Sequence, residues 1–427
     1  MPQIVLEHVT KRWGGFYGMD DLSMVIDDNT FVTLLGPSGC GKTTTLRMIA
    51  GLETPTSGRI TIGDEVVFDS ASGIDVPPNK RHVGFLFQNY ALWPNMTVYQ
   101  NIAFGLENDK SYTKAMIAER VEQVSKIVKI GPFMKRYPSE LSGGQQQRVA
   151  IARTLAPQPK VLFMDEPLSN LDAKLRLEMR SELQRLHIET GATFVYVTHD
   201  QMEAMTLATK ICLIDNGVLQ QYDAPLDVYH APINLFTADF VGNPSINFAN
   251  ASGAQRADGV VELGQLFGRQ VTFVPSEPTV LDEWYAAQHE ADAAEAADLE
   301  VRSKAKGFVT KENTESNFKY RVSTVDDLGG VAQELSDSES DFVIGIRPEL
   351  IEVRDTGAFE AEVYSSMPTG METTVKLRIG DLLLTGVIFG PAIYKIGQSV
   401  RFDIDGNVML FSRKNTRLIA SGTIAVA

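Results

Sequence analysis

The fold is decided by the segment Phe31-Val-Thr-Leu-Leu-Gly-Pro-Ser-Gly-Cys-Gly-Lys-Thr43. Its apolar first part predicts a buried strand, and its second part, Gly36–Thr43, has the Gly-x-x-x-x-Gly-Lys-Thr pattern of a phosphate-binding loop. In such a loop, backbone N–H groups and the N-terminus of the next helix surround polyphosphate oxygens, and the lysine adds a positive charge. The segment alone therefore indicates a nucleotide site without specifying a reaction.

Two further apolar runs also end in polar side chains. Val161-Leu-Phe-Met164 precedes the acidic pair Asp165-Glu166, and Thr193-Phe-Val-Tyr-Val197 precedes Thr198-His199. Strands that deliver functional residues at their carboxyl ends are typical of a parallel α/β sheet. We therefore expect residues 1–235 to form an α/β domain.

A second stretch of small residues opens a predicted helix, and it reads Leu141-Ser-Gly-Gly-Gln-Gln-Gln-Arg148. It also has the composition of a phosphate cradle, although the domain already has one in Gly36–Thr43. Two cradles in one domain suggest a divided site. The stretch is therefore predicted to complete the nucleotide site of a partner chain.

These segments, together with Val161-Leu-Phe-Met-Asp-Glu-Pro167, occur in the order found in the ATPase subunits of ABC transporters, and the chain resembles that family. The resemblance implies a P-loop NTPase with a RecA-like core, an ABC β-subdomain and a helical subdomain at about 89–158. It further implies a C-terminal all-β regulatory domain of the OB-fold-like (TOBE) kind, and ATP and Mg²⁺ as ligands.

Length and composition agree with two or three well-packed domains. The chain has 427 residues, of which 44% are hydrophobic and 22% charged, and its formal net charge is −15. Such an acidic chain is not expected to bind nucleic acid, which attracts basic surfaces. Without a basic, apolar leader or a run of about 18 apolar residues, we expect a cytosolic protein without a membrane span. The two cysteines, Cys40 and Cys212, are expected to be free thiols.

The pattern changes along the chain. Apolar residues at helical spacing from Lys114 to Lys129 predict a helix within the helical subdomain, and residues 236–427 have the short alternating runs of a β-rich domain. An acidic, alanine-rich segment at about 279–300 interrupts those runs. It is predicted to be a solvated helix, with a partner-docking element as the alternative.

The phosphate loop supplies most of the expected contacts with ATP. Its glycines permit a tight turn and close backbone approach, and the N–H groups from Ser38 to Thr43 can point inward. Lys42 is expected to bridge the β- and γ-phosphates, and Thr43 to place its hydroxyl on Mg²⁺. The residues of the loop assigned to ATP are Ser38, Gly39, Cys40, Gly41, Lys42, Thr43 and Thr44.

The resemblance assigns roles to residues outside the loop. Asp165 would hold Mg²⁺ through water, and Glu166 would deprotonate the attacking water. Gln88 would bind Mg²⁺ and sense the γ-phosphate, and His199 would contact the γ-phosphate and steady Glu166. Asp172, in Ser169-Asn-Leu-Asp172, would couple two sites across a dimer. The residues assigned to ATP of the opposite subunit are Ser142, Gly143, Gly144 and Gln145.

Aromatic residues raise two open questions. Trp13 is the expected platform for adenine because it lies upstream of the loop where relatives carry a stacking aromatic, with Phe16 and Tyr17 as alternatives. Between Asn89 and Ile102, exposed aromatic side chains are expected to border a groove for a helix of a membrane subunit, with core packing of Tyr90 and Trp93 as the alternative. These two residues test the prediction.

The C-terminal half decides the branch of the family. The segments Asp223–Phe236, Phe240–Phe248 and Gly345-Ile-Arg-Pro-Glu349 are similar to those of maltose-type ATPase subunits of carbohydrate importers. The resemblance implies a homodimer, or a heterodimer as the alternative, on two transmembrane permease subunits at the cytoplasmic face of the membrane. An extracytoplasmic solute-binding protein would deliver an oligosaccharide, polyol or glycerol phosphate.

Two other classes of protein are disfavoured. A soluble ABC ATPase acting on DNA or ribosomes would need a long coiled-coil insertion, tandem ATPase domains or a basic surface, and the sequence has none of them. A non-catalytic interaction module would be expected to lack Lys42, Glu166 or His199, and all three are present. The sequence therefore predicts an active ATPase.

Overall fold

The computed structural model describes residues 3–169, 171–304, 318–390 and 392–426. They form two compact units. The first contains the described residues through Pro225 together with 302–304, and the second contains Leu226–Val301 and the described residues from 318 onward. The division falls earlier than the expected boundary after residue 235.

The first unit contains eleven strands and six α-helices among its described residues. The strands are β1 (Ile4–Trp13), β2 (Phe16–Ile26), β3 (Phe31–Leu35), β4 (Ser57–Ile62), β5 (Glu65–Asp69), β6 (Ile74–Asp75), β7 (Gly84–Leu86), β8 (Val161–Asp165), β9 (Thr193–Val197), β10 (Lys210–Asp215) and β11 (Val218–Asp223). The helices are α1 (Lys42–Ala50), α2 (Val98–Glu107), α3 (Lys114–Ile127), α4 (Gly143–Leu155), α5 (Ala173–Thr190) and α6 (Gln201–Leu207).

The central sheet of this unit has the order β11-β10-β3-β9-β8-β7 and is parallel from β10 to β7. Strands β3, β8 and β9 are buried along their whole length, which explains their largely apolar sequences, with Thr33, Asp165 and Thr193 as buried polar exceptions. Leu34 and Asp165 both pair with Val197, so the ends of the three strands lie side by side. This edge carries the candidate site, as the sequence predicted.

The two other layers of the first unit also match the expected architecture. Strands β2-β1-β4-β5-β6 form an antiparallel sheet. Helices α2, α3 and α4 pack on one another through buried residues such as Ile102, Val121 and Val149. The predicted helix from Lys114 is confirmed as α3, which ends at Ile127.

The second unit is built mainly from antiparallel strands. Its helices are α7 (Pro225–His230), α8 (Leu235–Phe240) and α9 (Leu281–Ser303), of which the first residue of α7 and the last two of α9 are counted with the first unit. Its strands are β12 (Asn247–Ser252), β13 (Ala254–Gln255), β14 (Val261–Leu266), β15 (Arg269–Pro275), β16 (Arg321–Val322), β17 (Val331–Ala332), β18 (Asp341–Ile346), β19 (Ile351–Arg354), β20 (Phe359–Pro368), β21 (Glu372–Ile379), β22 (Leu382–Phe389), β23 (Ser399–Ile404), β24 (Val408–Ser412) and β25 (Leu418–Val426).

Two large sheets share the core of the second unit. Their strand orders are β12-β18-β24-β25-β15-β14-β13 and β19-β23-β20-β21-β22. Phe273 and Phe342 of the first sheet and Phe359 and Phe402 of the second are buried in one cluster. The expected β-rich C-terminal domain is confirmed, with helices added to it.

The segment before the β-sheets belongs to the second unit because a buried arginine binds it. Arg347 donates hydrogen bonds to the carbonyls of Tyr229, Ala238 and Val241 at 2.7, 3.0 and 2.5 Å. Its guanidinium also lies 4.0 Å from the centre of the Tyr229 ring. The motif Gly345–Glu349 thus fixes α7 and α8 to the unit that contains β18.

The acidic segment forms α9, a helix of 23 residues. Only Leu281 and Tyr285 of this helix are buried, and the Tyr285 hydroxyl lies 3.1 Å from Ser412 Oγ. Arg417 binds Gln288 and Asp292 and holds the next turns. This agrees with the predicted solvated helix. Among the described residues, no helix has both the length and the apolar composition needed to cross a bilayer.

Candidate functional site

The phosphate loop joins the end of β3 to the start of α1. Gly36 and Gly41 have φ values of 150° and 107°. A Cβ on Gly36 would lie 2.0 Å from the carbonyl oxygen of Ile214, and one on Gly41 would lie 2.0 Å from that of Gly18. Neighbouring backbone therefore closes in on the loop, and only glycine fits these two positions.

Helix α1 begins directly at Lys42. Its N-cap is Gly41, no side chain caps its first turn, and no acidic residue lies there. The free N–H groups and the positive end of the helix dipole are thus available to an anion. Lys42 is buried, and its Nζ donates to the carbonyls of Gly36 and Pro37, both at 2.7 Å. The ammonium group is therefore held over the loop.

Cys40 lies inside the same loop and is buried. Burial raises the pKa of its thiol, against the opposing effect of Lys42, whose Nζ lies 3.8 Å from Sγ. The Cys40 carbonyl accepts a hydrogen bond from Gly217 N at 3.0 Å. Cys40 and Cys212 are both free, which confirms the expectation of two unpaired thiols.

Asp165 ends β8 opposite the start of α1. The carboxylate is buried, with Oδ1 2.9 Å from Thr43 Oγ1 and Oδ2 3.3 Å from an Arg47 guanidinium nitrogen. The predicted pair of metal ligands, Thr43 and Asp165, is therefore in direct contact. Sequence reasoning missed Arg47, although it lies one helical turn after Thr43 and so faces the same way.

Glu166 turns away from Asp165 because its backbone is left-handed, with φ of 44°. Gln88 donates from Nε2 to Glu166 Oε2 at 3.3 Å, and His199 Nδ1 lies 3.4 Å from Oε1. The Ser169 hydroxyl donates to the Glu166 carbonyl at 2.9 Å. Three residues predicted from separate motifs, Gln88, Glu166 and His199, thus meet at one point.

The second glycine-rich stretch begins α4. Ser142 is the N-cap, and it forms a capping box in which Gln145 N donates to Ser142 Oγ and Ser142 N donates to Gln145 Oε1. A Cβ on Gly144 would lie 2.5 Å from a Leu175 side-chain carbon, so this glycine allows α4 to approach α5. Across the four described ranges, no hydrogen bond joins Ser142, Gly143, Gly144 or Gln145 to the phosphate loop of the same chain.

Asp172 begins α5 as its N-cap and accepts a hydrogen bond from Leu175 N at 3.0 Å. Its carboxylate therefore serves helix capping in this structure. The segment Ser169–Asp172, expected to couple two sites across a dimer, includes Asn170, which lies outside the described residues. The role of Asp172 between two sites remains a prediction.

Trp13 lies beside Gly18, which in turn approaches the phosphate loop. A Cβ on Gly18 would lie 2.4 Å from the Trp13 ring and 3.2 Å from Thr44 Cγ2, and Gly18 also contacts Gly41. Phe16 is 60% exposed, with its ring centre 6.2 Å from that of Trp13. The Tyr17 ring is covered by the guanidinium of Arg12, 4.2 Å from its centre.

The expected exposed aromatic patch after Gln88 is wrong for Tyr90, which is only 6% exposed. Arg153, at the end of α4, donates to the carbonyls of Tyr90 and Ala91 at 2.7 and 2.6 Å. Trp93 is partly buried, its ring 4.3 Å from that of Phe104 and 5.0 Å from the Arg153 guanidinium. A distant arginine thus folds this loop against the helical layer, which the local sequence does not reveal.

Known proteins share this combination of segments. The family model described as ABC transporter matches residues 19–169. The chain is 43% identical over 381 residues to the xylose/arabinose import ATP-binding protein of Haloferax volcanii, covering 89% of this chain and 82% of the relative. It is 47% identical over 283 residues to the trehalose/maltose import ATP-binding protein of Thermococcus litoralis, covering 66% and 74%.

A solved structure from Clostridium perfringens, part of an ABC transporter complex, has 28% sequence identity and a TM-score of 0.49. The match covers 53% of this chain and 89% of that one.

Proposed function

This chain belongs to the family of ABC-transporter ATP-binding proteins, and on this premise we propose that it hydrolyses ATP to energise uptake of a carbohydrate or related solute. The observation that most supports ATP hydrolysis is that Gln88, Glu166 and His199 lie in contact, in a domain whose phosphate loop leads into a helix N-terminus without a side-chain cap. The two import proteins named above support a sugar as the transported solute, since the name of each protein includes the sugars that it imports. An oligosaccharide, polyol or glycerol phosphate fits the resemblance equally.

ATP binding is assigned to the loop and to Trp13. The N–H groups of the first turn of α1 meet the phosphates, and the buried Lys42 ammonium neutralises their charge. Trp13, beside Gly18 and the loop, stacks on adenine. Gly39 provides an open turn, since, apart from Gly39 itself and its two neighbours in the chain, no described residue lies within 4 Å of the place that a Cβ would take there.

The residues present fit Mg²⁺, which prefers hard oxygen ligands. Thr43 Oγ1 and Asp165 Oδ1 lie 2.9 Å apart, and they would hold the ion together with the side-chain oxygen of Gln88. When bound, the ion neutralises charge on the phosphate oxygens. Arg47, at 3.3 Å, keeps the buried Asp165 carboxylate paired.

Hydrolysis is assigned to Glu166 as the base. Its carboxylate is 24% exposed and lies between Gln88 and His199, so it can reach a water while both neighbours orient it. His199, 60% exposed, presents its ring to the γ-phosphate. The left-handed backbone at Glu166 separates this carboxylate from the one at Asp165, and the two acids therefore have different tasks.

The second glycine-rich stretch, Leu141–Arg148, is assigned to the ATP of a second copy of the chain. Ser142 and the N-terminus of α4 form an anion-binding helix end without a hydrogen bond to their own phosphate loop in the described residues. Head-to-tail pairing would place that end on the γ-phosphate of the partner. Because one chain has every motif, a symmetric homodimer with two sites is the simplest assembly, and hydrolysis would release it.

Replacement of Glu166 by glutamine tests this mechanism. The amide keeps the size of the side chain but cannot take a proton, so ATP-bound dimer should accumulate while steady-state hydrolysis falls by a factor on the order of 100 or more. Size-exclusion chromatography with light scattering measures the dimer, and phosphate release measures turnover. Rapid hydrolysis by Glu166→Gln would remove Glu166 from the role of base.

The remaining partners are two transmembrane permease subunits and an extracytoplasmic solute-binding protein, which place the chain at the cytoplasmic face of the membrane. We assign a permease segment to a groove of about 530 Å³ in the first unit, which is lined by residues outside the stretch Asn89–Ile102 that was expected to border such a groove. Its walls come from β5, from the loop before β7, from α2, from the connection between α2 and α3 and from the turn before β8, including Glu65, His82, Leu106, Tyr112, Pro157 and Pro159.

Reconstitution separates this proposal from its rivals. ATPase activity that rises with cognate permease subunits and solute-loaded binding protein supports an importer. Stimulation by DNA or RNA and not by permease would refute it. Tyr112→Ala in the groove should weaken permease co-purification and leave ATP affinity unchanged, with Tyr137→Ala, an exposed tyrosine outside the groove walls, as the matched control.

A further inference from the structure

A buried carboxylate lies behind His199 and belongs to none of the sequence motifs. Glu203 of α6 is 4% exposed. Its Oε2 accepts hydrogen bonds from the hydroxyls of Tyr196 and Thr198, both at 2.7 Å. Burial, followed by the charge of Glu203, raises the pKa of Tyr196 well above its usual value, so the phenol stays a donor.

Arg176, in the first turn of α5, reaches the same carboxylate from the other side. Its Nε lies 3.9 Å from Glu203 Oε1, and its Nη1 lies 3.4 Å from Asp200 Oδ2. Its Nη2 donates to the Leu171 carbonyl at 3.2 Å. One guanidinium therefore joins the chain before α5 to the loop that carries His199.

His199 is the exposed residue between two anchored neighbours. Thr198 donates to Glu203 and accepts from Asp200 N at 3.0 Å. Asp200 caps α6 by accepting from Met202 N and Glu203 N, and it also pairs with Arg176. The His199 ring meets Glu166 across 3.4 Å, so the direction of the ring depends on how these neighbours hold its backbone.

We propose that Arg176 and Glu203 are positioning residues for hydrolysis, which hold the His199 loop in register with the segment Leu171–Asp172. Glu166, Arg176, His199 and Glu203 line one small cavity of about 30 Å³, so the pair lies directly behind the base. Leu171 precedes Asp172, the residue assigned to subunit coupling. A displacement of Leu171 would therefore be transmitted to the His199 loop through the Arg176 side chain. This inference rests on the proposed ATPase function.

The pair is expected to affect turnover and not nucleotide binding. The contacts of Arg176 with Leu171, Asp200 and Glu203 all lie outside the phosphate loop, and a displacement of about 1 Å at a catalytic group costs up to about a hundredfold in rate. Arg176→Met removes all three polar contacts and keeps the aliphatic stem. It should lower kcat by about tenfold to a hundredfold and change the Kd for ATP by less than about twofold.

Arg185→Met is the matched control. Arg185 lies on the same helix, also pairs with a buried glutamate, Glu182, and donates to the Ile127 carbonyl. Arg185→Met should lower the thermal stability but keep kcat within about twofold of the wild-type value, since, in the described part of the chain, the residues that Arg185 contacts do not touch His199. Equal loss of kcat in both variants would show that turnover reports only general damage to α5, and would overturn the proposal.

A double substitution shows whether Arg176 acts through the histidine. In a His199→Ala background, Arg176→Met should cost less than about a further twofold in kcat, because the group it positions is absent. A full, multiplicative loss there would overturn the proposal. Glu203→Gln keeps the shape of the side chain and removes its charge, and it replaces Arg176→Met if that variant does not fold. A kcat equal to that of the wild type in Glu203→Gln would also overturn the proposal.

The assays use the full chain, alone or assembled with its permease subunits, with phosphate release for kcat and fluorescent ATP for Kd. A wild-type chain that hydrolyses no ATP in either form refutes the proposed function. An active wild type with active Arg176→Met and Glu203→Gln variants refutes this inference alone.

Discussion

Alanine at Gly41 and at Gly39 should have unequal effects, although both glycines belong to one loop and both have positive φ. The values are 107° at Gly41 and 82° at Gly39. A Cβ on Gly41 would lie 2.0 Å from the Gly18 carbonyl oxygen, whereas on Gly39 a Cβ would have no described residue within 4 Å other than Gly39 itself and its two chain neighbours. Comparing the two alanine variants thus separates the loss of stability due to a left-handed backbone from the loss due to a steric clash.

The magnitudes follow from these two terms. An alanine in the left-handed conformation costs about 1–2 kcal/mol, and the free energy of unfolding of Gly39→Ala should fall by only this amount. Gly41→Ala must also move a strand carbonyl by about 1 Å, and overpacking of that kind adds about 1–3 kcal/mol. We therefore expect Gly41→Ala to be less stable than Gly39→Ala by about 1–3 kcal/mol.

Urea unfolding followed by fluorescence measures the difference in free energy, and titration with fluorescent ATP measures binding. Gly41 is the N-cap of α1, so Gly41→Ala should also weaken ATP binding more than Gly39→Ala, because the helix end moves with it. Equal destabilisation by the two alanines would refute the close approach of Gly18 to the loop.

Three further predictions address the site and its surroundings. Lys42→Ala should raise the Kd for ATP at least about tenfold, since a buried cation is lost from the loop, and an unchanged Kd in an ATP titration would contradict its role. Trp13→Ala should cost about 1–3 kcal/mol of binding, roughly 5- to 150-fold in Kd, whereas Phe16→Ala should change the Kd less than about twofold; the reverse order would transfer the adenine platform to Phe16. Burial lowers the pKa of His187 below its usual 6.5, so the unfolded chain takes up the proton first and stability falls as the pH drops through about 6.5. The Tm should therefore fall between pH 7.5 and 5.5, and an equal fall in His187→Phe would assign the effect to other groups.

The elements that carry the site were predictable because their signals are local. The apolar run Phe31–Leu35 forms β3 with the predicted bounds, and Thr193–Val197 forms β9. Each lies in the buried interior of a parallel sheet and is apolar apart from one threonine, Thr33 in β3 and Thr193 in β9, and the Tyr196 hydroxyl, so the apolar pattern is easy to recognise. Parallel pairing then brings the polar residues after the strands to one edge.

The parts that were missed depend on contacts distant in sequence. Arg153 binds the carbonyl of Tyr90 across 63 residues and buries that tyrosine, which a loop of aromatic residues cannot reveal by itself. Arg347 similarly binds Tyr229, 118 residues away, and assigns α7 to the second unit. The carbonyl groups that an arginine will bind cannot be predicted from the sequence, because its long side chain can reach the backbone of many elements.

The adjacent acids Asp165 and Glu166, whose separate roles are assigned by the resemblance and remain predictions, show how far such reasoning extends. Successive side chains of a strand point to opposite sides, so the pairing of Asp165 with Val197 already sends neighbouring carboxylates apart. The turn to φ of 44° at Glu166 completes the separation, with one acid on Thr43 and the other on His199. Sequence could therefore identify both acids, whereas the separation of their carboxylates depends on the register of β8 and on one left-handed residue.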